Sequence, residues 1–498
     1  MNWDKLIDEQ SLRSVLPGYS LEIARTVKEG LNVFLCGLPE TIQQSVLAAQ
    51  MKLPITAAVS ERLGSLGNSC PVLQKLGQVL ARNQQLAPEL REQLQKLESM
   101  PSTVPLETIR ELLTQELGPL DRRGIVLMPP AIAEASVAVV IAFQETRDGQ
   151  VREGVFKILK PGIEERLEIE LELLGEVGTH LDARCDDLKI PEINYRETFD
   201  QIRQKLSCEV LLDQEQHNLV AARDFYSADP EVLIPELFDC CTSRVTAMQR
   251  VVGGKITDHD LSSRGDRSRL ATMVARALIS RPMLSRASSA LFHSDPHAGN
   301  LLYTEDGRLA ILDWCLVGSL SEQSRVSMAQ IILGAITLRS EKIVGLLEEL
   351  SDWGQVDRLQ LSKVVGEWLQ KVRYGQYPGL SWVVGLVDDA IQSAQLRVAG
   401  DLMLFRKSLL TLEGVIGDLG ADGFCLDDLV SSEFLRQFGR ELPERWFSTP
   451  ASNNFATRLS NLDLVETALS YPLTLPRFWL AEAEAIFEGN GPPGAATH

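Results

Sequence analysis

The sequence predicts an α+β fold of two lobes, with a helical extension before them and a helical tail after. The smaller lobe is mostly β and the larger lobe predominantly α-helical. Three observations carry this. The first 120 residues show only helical periodicity; from about Ile125 the chain turns to Val-, Ile- and Ala-rich runs; beyond Gly253-Gly254 helical periodicity returns around one short hairpin. The expected divisions are 1–120 for the helical extension, 121–253 for the small lobe, 254–425 for the large lobe and 426–498 for the tail.

In the extension, Pro39, Pro71, Pro88 and Pro105 each precede an apolar-periodic segment, as expected where a residue of fixed φ opens a helix. Within Pro105–Leu117 the apolar residues Leu106, Ile109, Leu112, Leu113 and Leu117 recur at three- and four-residue steps, and Gly118 closes the helix. The prolines are not accompanied by repeated side chains, so no internal repeat is read. Ala131–Phe143 and Gly154–Leu159 read as antiparallel strands separated by the polar turn Glu145–Gln150. Helices over Ile163–His180 and Phe199–Arg223 follow, then further strands through Val232–Val252. Gly253-Gly254 reads as a flexible break, and the tail Gly489–His498 as disordered.

Apolar content of 44% and charged content of 23% are those of a globular chain with an ample core. A formal net charge of −19 argues against a nucleic-acid partner and disfavours nonspecific attraction to anionic lipid. The N-terminus shows no basic stretch followed by an apolar one, and no run reaches the roughly eighteen apolar residues of a membrane span. Cytoplasmic localisation is expected, with peripheral membrane contact left open. The eight cysteines lack Cys-x-x-Cys spacing and read as free, mostly buried thiols, with Cys240-Cys241 taken as strand packing.

Residues 291–314 carry the chemistry. Asp295 is followed by Asn300 and then by Asp313, and between them Leu301–Tyr303 and Leu309–Leu312 flank Thr304-Glu305-Asp306-Gly307. Asp-Gly is expected to supply the positive-φ positions of a tight hairpin that folds the three oxygen-bearing side chains toward one point. One acid to accept a hydroxyl proton, with an Asn and an Asp as Mg²⁺ ligands, is the phosphoryl-transfer machinery of protein-kinase-like folds. The fold class is therefore a two-lobed protein-kinase-like one. His293 and His297 flank Asp295 and are read as structural hydrogen-bonding groups rather than metal ligands. Lys157 sits in the apolar strand Val155-Phe156-Lys157-Ile158, a costly position unless the ammonium meets an anion. Glu209 and Glu215 are both candidates to orient such a lysine. Six residues apart on a helix, they face different ways and do not readily serve the same one.

Together these stretches resemble the UbiB/AarF family of atypical kinase-like ATPases over roughly residues 70–425. Lys75-Leu76-Gly77-Gln78 resembles its Lys-x-Gly-Gln motif, Ala131–Ala138 its alanine-rich loop, and Lys157–Ile163 its lysine strand with the Pro-Gly-Ile exit. Asp295–Asp313 resembles its catalytic and metal loops, and Asp401–Gly414 its late helix. The resemblance implies Mg²⁺ and ATP or ADP as ligands, with Lys157 on the phosphates and paired with Glu215. It makes Asp295 the proton-accepting carboxylate of the catalytic loop and Asn300 and Asp313 the metal ligands. Ala135, Ser136, Ala138 and Met248 would line the nucleotide, while Lys75, Gly77 and Gln78 would act from the helical extension, Glu209 pairing with Lys75. Lys75 and Gln78 would reach over the nucleotide. It also implies ATP hydrolysis in support of lipid or isoprenoid-quinone metabolism rather than protein phosphorylation, with a lipid, a quinone precursor or a quinone-synthesis enzyme as partner.

Alanines in place of glycines add Cβ atoms that restrict backbone approach to phosphates, so weak phosphate grip and slow turnover are expected, with the Ser136 hydroxyl in partial compensation. The chain departs from the family pattern at Trp314-Cys315, where Phe-Gly follows the metal-binding Asp, and at Leu211, where the helix motif carries an Asp. Val139 stands where a Gln is usual. Without the glycine, the loop after Asp313 is expected to be less mobile. Two other functions remain open: a small-molecule phosphotransferase of the aminoglycoside or choline kinase type, echoed by Leu312-Asp313-Trp314, and a non-catalytic nucleotide-binding scaffold.

Overall fold

A computed structural model describes residues 9–16, 21–81, 86–97, 104–147, 149–190, 194–258, 264–351, 356–421 and 423–487. The expected disorder of Gly489–His498 lies outside them. The chain forms two compact units, the first from Met1–Val220 and Pro235–Val251, the second from Ala221–Ile234 and Val252–His498.

The first unit opens on helices Glu9–Val15, Leu21–Gly37, Glu40–Met51, Val59–Ser69, Pro71–Leu80, Pro88–Lys96 and Leu106–Leu117. Pro71 and Pro88 occupy the first helical turn, where a missing N–H costs nothing, and Pro39 and Pro105 are N-caps. Gly118 ends the last of these helices at a φ of +78°, which a side chain would resist.

Strands β1 (Ile125–Glu134), β2 (Ala138–Arg147) and β3 (Gln150–Leu159) then form an antiparallel meander. The single strand expected over Ala131–Phe143 is thus two. The Ala135 N–H donates to the Ala138 carbonyl at 2.8 Å and closes a tight turn, so the alanine-rich segment is a hairpin tip. The register of β1 shifts between Met128 and Ala133, across Pro129-Pro130, which have no N–H to give the ladder. After β4 (Val232–Leu233), which belongs to the second unit, β5 (Val245–Gln249) pairs with β3 and completes the order β1-β2-β3-β5. Ile141, Phe143, Phe156, Ile158 and Val245 pack with Ile109 and Leu113 as one core, and Phe143 stacks on Phe156 at 4.0 Å. Cys240 and Cys241 lie in the loop before β5 rather than in a strand, and the Cys241 sulfur accepts from the Ala247 N–H at 3.3 Å.

Helix Ile163–Asp182 follows β3 as expected. The helix expected over Phe199–Arg223 is instead broken into Tyr195–Ser207, a 3-10 turn Cys208–Val210, and Leu212–Tyr226. The break falls at Leu211, whose φ of −92° and ψ of 68° are non-helical and whose N–H closes on Cys208.

In the second unit, β6 (Gly253–Lys255), β8 (Leu301–Thr304) and β9 (Leu309–Ile311) join β4 in the order β4-β9-β8-β6. Gly253-Gly254 is therefore a paired strand, not a flexible break. A Cβ on Gly253 would come within 2.5 Å of the Tyr303 carbonyl, so the glycine permits the approach of β6 to β8. A second pair, β7 (Ser289–His293) with β10 (Val317–Ser321), lies where the sequence predicts helix; runs of five residues are too short for periodicity to separate strand from helix. In the β8–β9 turn only Gly307 takes a positive φ, +80°, and its N–H donates to the Thr304 carbonyl at 2.9 Å; Asp306 keeps an ordinary conformation.

Helices Glu322–Ile336, Ser340–Glu349, Arg358–Arg373, Leu380–Ala394, Gly400–Asp418 and Leu426–Arg445 follow, and Glu322–Ile336 and Gly400–Asp418 pack on β10. Helices Asn461–Ser470 and Thr474–Phe487 are separated by a turn carrying Pro472. No helix among the described residues is long and apolar enough to cross a membrane. The cysteines carry no disulfide, and three of the eight (Cys70, Cys185 and Cys240) are buried, while Cys36 and Cys425 are exposed.

Candidate active-site residues

Alternation along β3 sends Phe156 and Ile158 into the core and Lys157 to the opposite face. Lys157 Nζ donates to both Glu215 oxygens, at 2.9 and 2.8 Å, and the two side chains are 15% and 3% exposed. The next residue holds the register: Gln216 Nε2 donates to the Thr242 carbonyl at 2.9 Å and to Thr246 Oγ1 at 3.0 Å, and Thr246 is the β5 partner of Lys157. The helix break at Leu211 separates the two candidate glutamates. Glu209 stays in the 3-10 turn, where Lys75 Nζ lies 2.7 Å from its carboxylate.

Helix Pro71–Leu80, which carries Lys75, is capped from a distant helix: the Glu170 carboxylate accepts from the Val72 N–H at 2.9 Å and from Arg166 at 3.0 Å. Burial pushes the Glu170 carboxyl up, and those two donors offset it only in part. Gly77 and Gln78 turn another way. Gln78 Nε2 donates to the Leu97 carbonyl at 2.8 Å, and a Cβ on Gly77 would stand 3.0 Å from a Leu97 methyl. They serve the packing of helix Pro88–Lys96 against their own helix.

At the β1–β2 tip, Ala138 is fully buried, Ala135 is partly exposed, and Ser136 is 2% exposed with no hydrogen-bond partner for its hydroxyl. The tip is clipped by an ion pair that the sequence reading missed, Lys160 with Glu134 at 2.7 Å, and by the Lys160 N–H on the Val137 carbonyl at 2.9 Å. Met248 is half-buried on β5, opposite Val155.

In the second unit, the β8–β9 hairpin and the loop before it are organised by His293. Its Nε2 donates to the Leu312 and Asp313 carbonyls, at 3.1 and 2.9 Å, and its Nδ1 accepts from the Asp295 N–H at 3.2 Å. Burial holds the imidazole pKa down, so the ring is neutral and keeps both roles. His297 Nδ1 accepts from the Gly299 N–H at 3.1 Å. Asn300 Nδ2 donates to the Asp295 carbonyl at 3.2 Å, which leaves Oδ1 as the amide's acceptor. Asp313 has a φ of 56°, a strained conformation for a residue with a side chain, and its Oδ1 accepts from the Cys315 N–H at 3.4 Å. Trp314 is fully buried, with its indole N–H on the Ile311 carbonyl at 3.1 Å and its ring 4.9 Å from that of His293.

Asp295 has a partner no sequence spacing indicated. Lys407 on helix Gly400–Asp418 lies 3.2 Å from its Oδ1. Burial pushes the Asp295 carboxyl up, but Lys407, first among its neighbours, and His297 outweigh it and hold it below the ordinary carboxylate range. Asp295 is therefore ionised at neutral pH and can accept a proton. The oxygen donors of Asn300 and Asp313 have the hardness that Mg²⁺ requires.

The ABC1 atypical kinase-like domain matches residues 96–347, just over half of the chain. An Arabidopsis thaliana aarF domain-containing protein kinase, described as uncharacterized and chloroplastic, is 27% identical over 356 residues, covering 68% of this chain and 60% of that protein. The chloroplastic protein Activity of bc1 complex kinase 3 of the same plant is 29% identical over 261 residues, 52% of this chain and 36% of its own. A probable protein kinase UbiB from Xanthomonas campestris pv. campestris is 26% identical over 362 residues, 69% and 64%. The matches span less than two thirds of each of these relatives' lengths. Among solved structures, a Mycobacterium tuberculosis protein in complex with erythromycin covers 79% of this chain and 87% of its own at 16% identity, with a TM-score of 0.48. The α+β architecture is kinase-like.

Proposed function

Because the chain belongs to the ABC1 atypical kinase-like family, we propose that it is a UbiB/AarF-type ATPase or atypical kinase that binds Mg-ATP or Mg-ADP and supports lipid or isoprenoid-quinone metabolism. The names of the relatives support the class of target. The observation that carries the chemistry is the His293-centred loop, which ties Asp295 to the peptide of Asp313 through one neutral imidazole.

In this reading Lys157, with its ammonium oriented by Glu215, neutralises the nucleotide's phosphates. Asn300 and Asp313 would hold Mg²⁺ through their side-chain oxygens, and the ion would supply positive charge to offset the charge of the transferring phosphoryl group. Asp295 accepts the proton of the attacking water or alcohol. The orphaned Ser136 hydroxyl is costly as it stands, and a phosphate oxygen would satisfy it. The flanking alanines limit how closely backbone N–H groups approach, so turnover is slow.

The test is Mg²⁺-dependent ATP hydrolysis by the purified full chain, with and without lipid vesicles or a phenolic quinone precursor. Hydrolysis should be slow, rise with one of these additions, and disappear in Asp313→Asn. A stoichiometric phosphorylated alcohol from a metabolite panel would favour a small-molecule phosphotransferase. Nucleotide binding without turnover would leave only a scaffold.

A further inference from the structure

Lys407 lies outside the catalytic and metal-binding motif of residues 291–314, on the late helix Gly400–Asp418. Lys407 directs its ammonium at Asp295 Oδ1 from 3.2 Å, and the residues around it are fixed to the same strands that carry the loop. Ser408 Oγ donates to the His293 carbonyl at 2.8 Å. Phe405 packs edge-on against Phe292 with ring centres 5.2 Å apart, and Asp401 accepts from Ser319 Oγ at 3.2 Å. Arg406 pairs with Asp388 on helix Leu380–Ala394. Lys407 is thus delivered by a helix anchored on both sides of it. Yet the Lys407 and Asp295 side chains remain 37% and 43% exposed, and ion pairs that open contribute little to folding. Stability does not account for the arrangement.

We propose that Lys407 is a positioning residue for the chemistry of Asp295. Its ammonium occupies one carboxylate oxygen and turns the other toward the attacking hydroxyl or water. This rests on the reading of Asp295 as the proton acceptor in phosphoryl transfer.

The experiment compares the full chain with Lys407→Met, Lys407→Arg, Asp295→Asn and the Lys407→Met/Asp295→Asn pair in Mg²⁺-dependent ATP hydrolysis, with melting temperature measured on each. Lys407→Met should lower kcat by about tenfold or more, leave KM for ATP and the melting temperature unchanged, and be largely rescued by Arg. In the Asp295→Asn background it should add no further loss, because both changes remove the same interaction. An unchanged kcat in Lys407→Met, a loss confined to KM, or losses that multiply in the pair would overturn the role. A wild-type chain that neither binds nor hydrolyses ATP defeats the assignment of Asp295 and this role with it. Wild-type hydrolysis with an indifferent Lys407→Met defeats this role alone.

Discussion

Glu441 is buried in helix Leu426–Arg445, where its carboxylate accepts from the Ala456 N–H and Thr457 Oγ1, both at 2.7 Å, and from Arg445 and Gln437 at 3.0 Å. Burial pushes the carboxyl up, but these donors outweigh it and hold the folded pKa below its ordinary 4.5. A carboxylate with a depressed folded pKa contributes stability that is complete above its unfolded value and lost as pH falls through the folded one. Urea unfolding should therefore show stability falling below about pH 4.5, and Glu441→Gln should be weaker at pH 7 with a shallower acid slope. Identical slopes would show that other carboxylates set the acid limit. Among the candidate site residues, Asp295, Asn300 and Asp313 could be read from sequence because one local hairpin joins them. Lys157 could be read because an ammonium in an apolar strand needs an anion. Lys407 could not: it is 112 positions from Asp295, and only the packing of a late helix on β7 brings them together. The Gln78 amide was likewise beyond reach, since its acceptor at Leu97 depends on how two helices pack.

At the scale of elements, β6 depends on the missing side chain of Gly253. A Cβ there would meet the Tyr303 carbonyl at 2.5 Å, whereas one on Gly345, inside helix Ser340–Glu349, meets nothing within 4 Å. Gly253→Ala should cost about 1–3 kcal/mol in urea unfolding. Gly345→Ala should be neutral or add up to about 1 kcal/mol, because alanine favours the helix interior. Equal effects would remove the close-approach explanation. The long helices and the β2–β3 meander follow from periodicity in the sequence. The elements that periodicity missed are short or interrupted: β7 and β10 have five residues each. A tight turn at Ala135 divides one apolar run into two strands, and Leu211 leaves the helical region inside an otherwise helical pattern. That break matters for the site, because it lets Glu209 meet Lys75 while Glu215 meets Lys157.

For the whole molecule, the chain changes unit three times between Val220 and Val252, placing β4 in the second unit and β5 in the first. A two-residue strand and a five-residue one carry no pattern that says which sheet each completes. The net charge of −19 makes a local cation such as Lys157 the more important for an anionic nucleotide. The account turns on such a nucleotide being bound with Mg²⁺, and isothermal titration of the full chain with ATP in the presence and absence of Mg²⁺ tests it most directly. Wild-type protein should bind in a Mg²⁺-dependent manner, and Lys157→Met and Asp313→Asn should each weaken binding by about tenfold or more. Binding that is absent in the wild type, or indifferent to Mg²⁺ and to both substitutions, would contradict it.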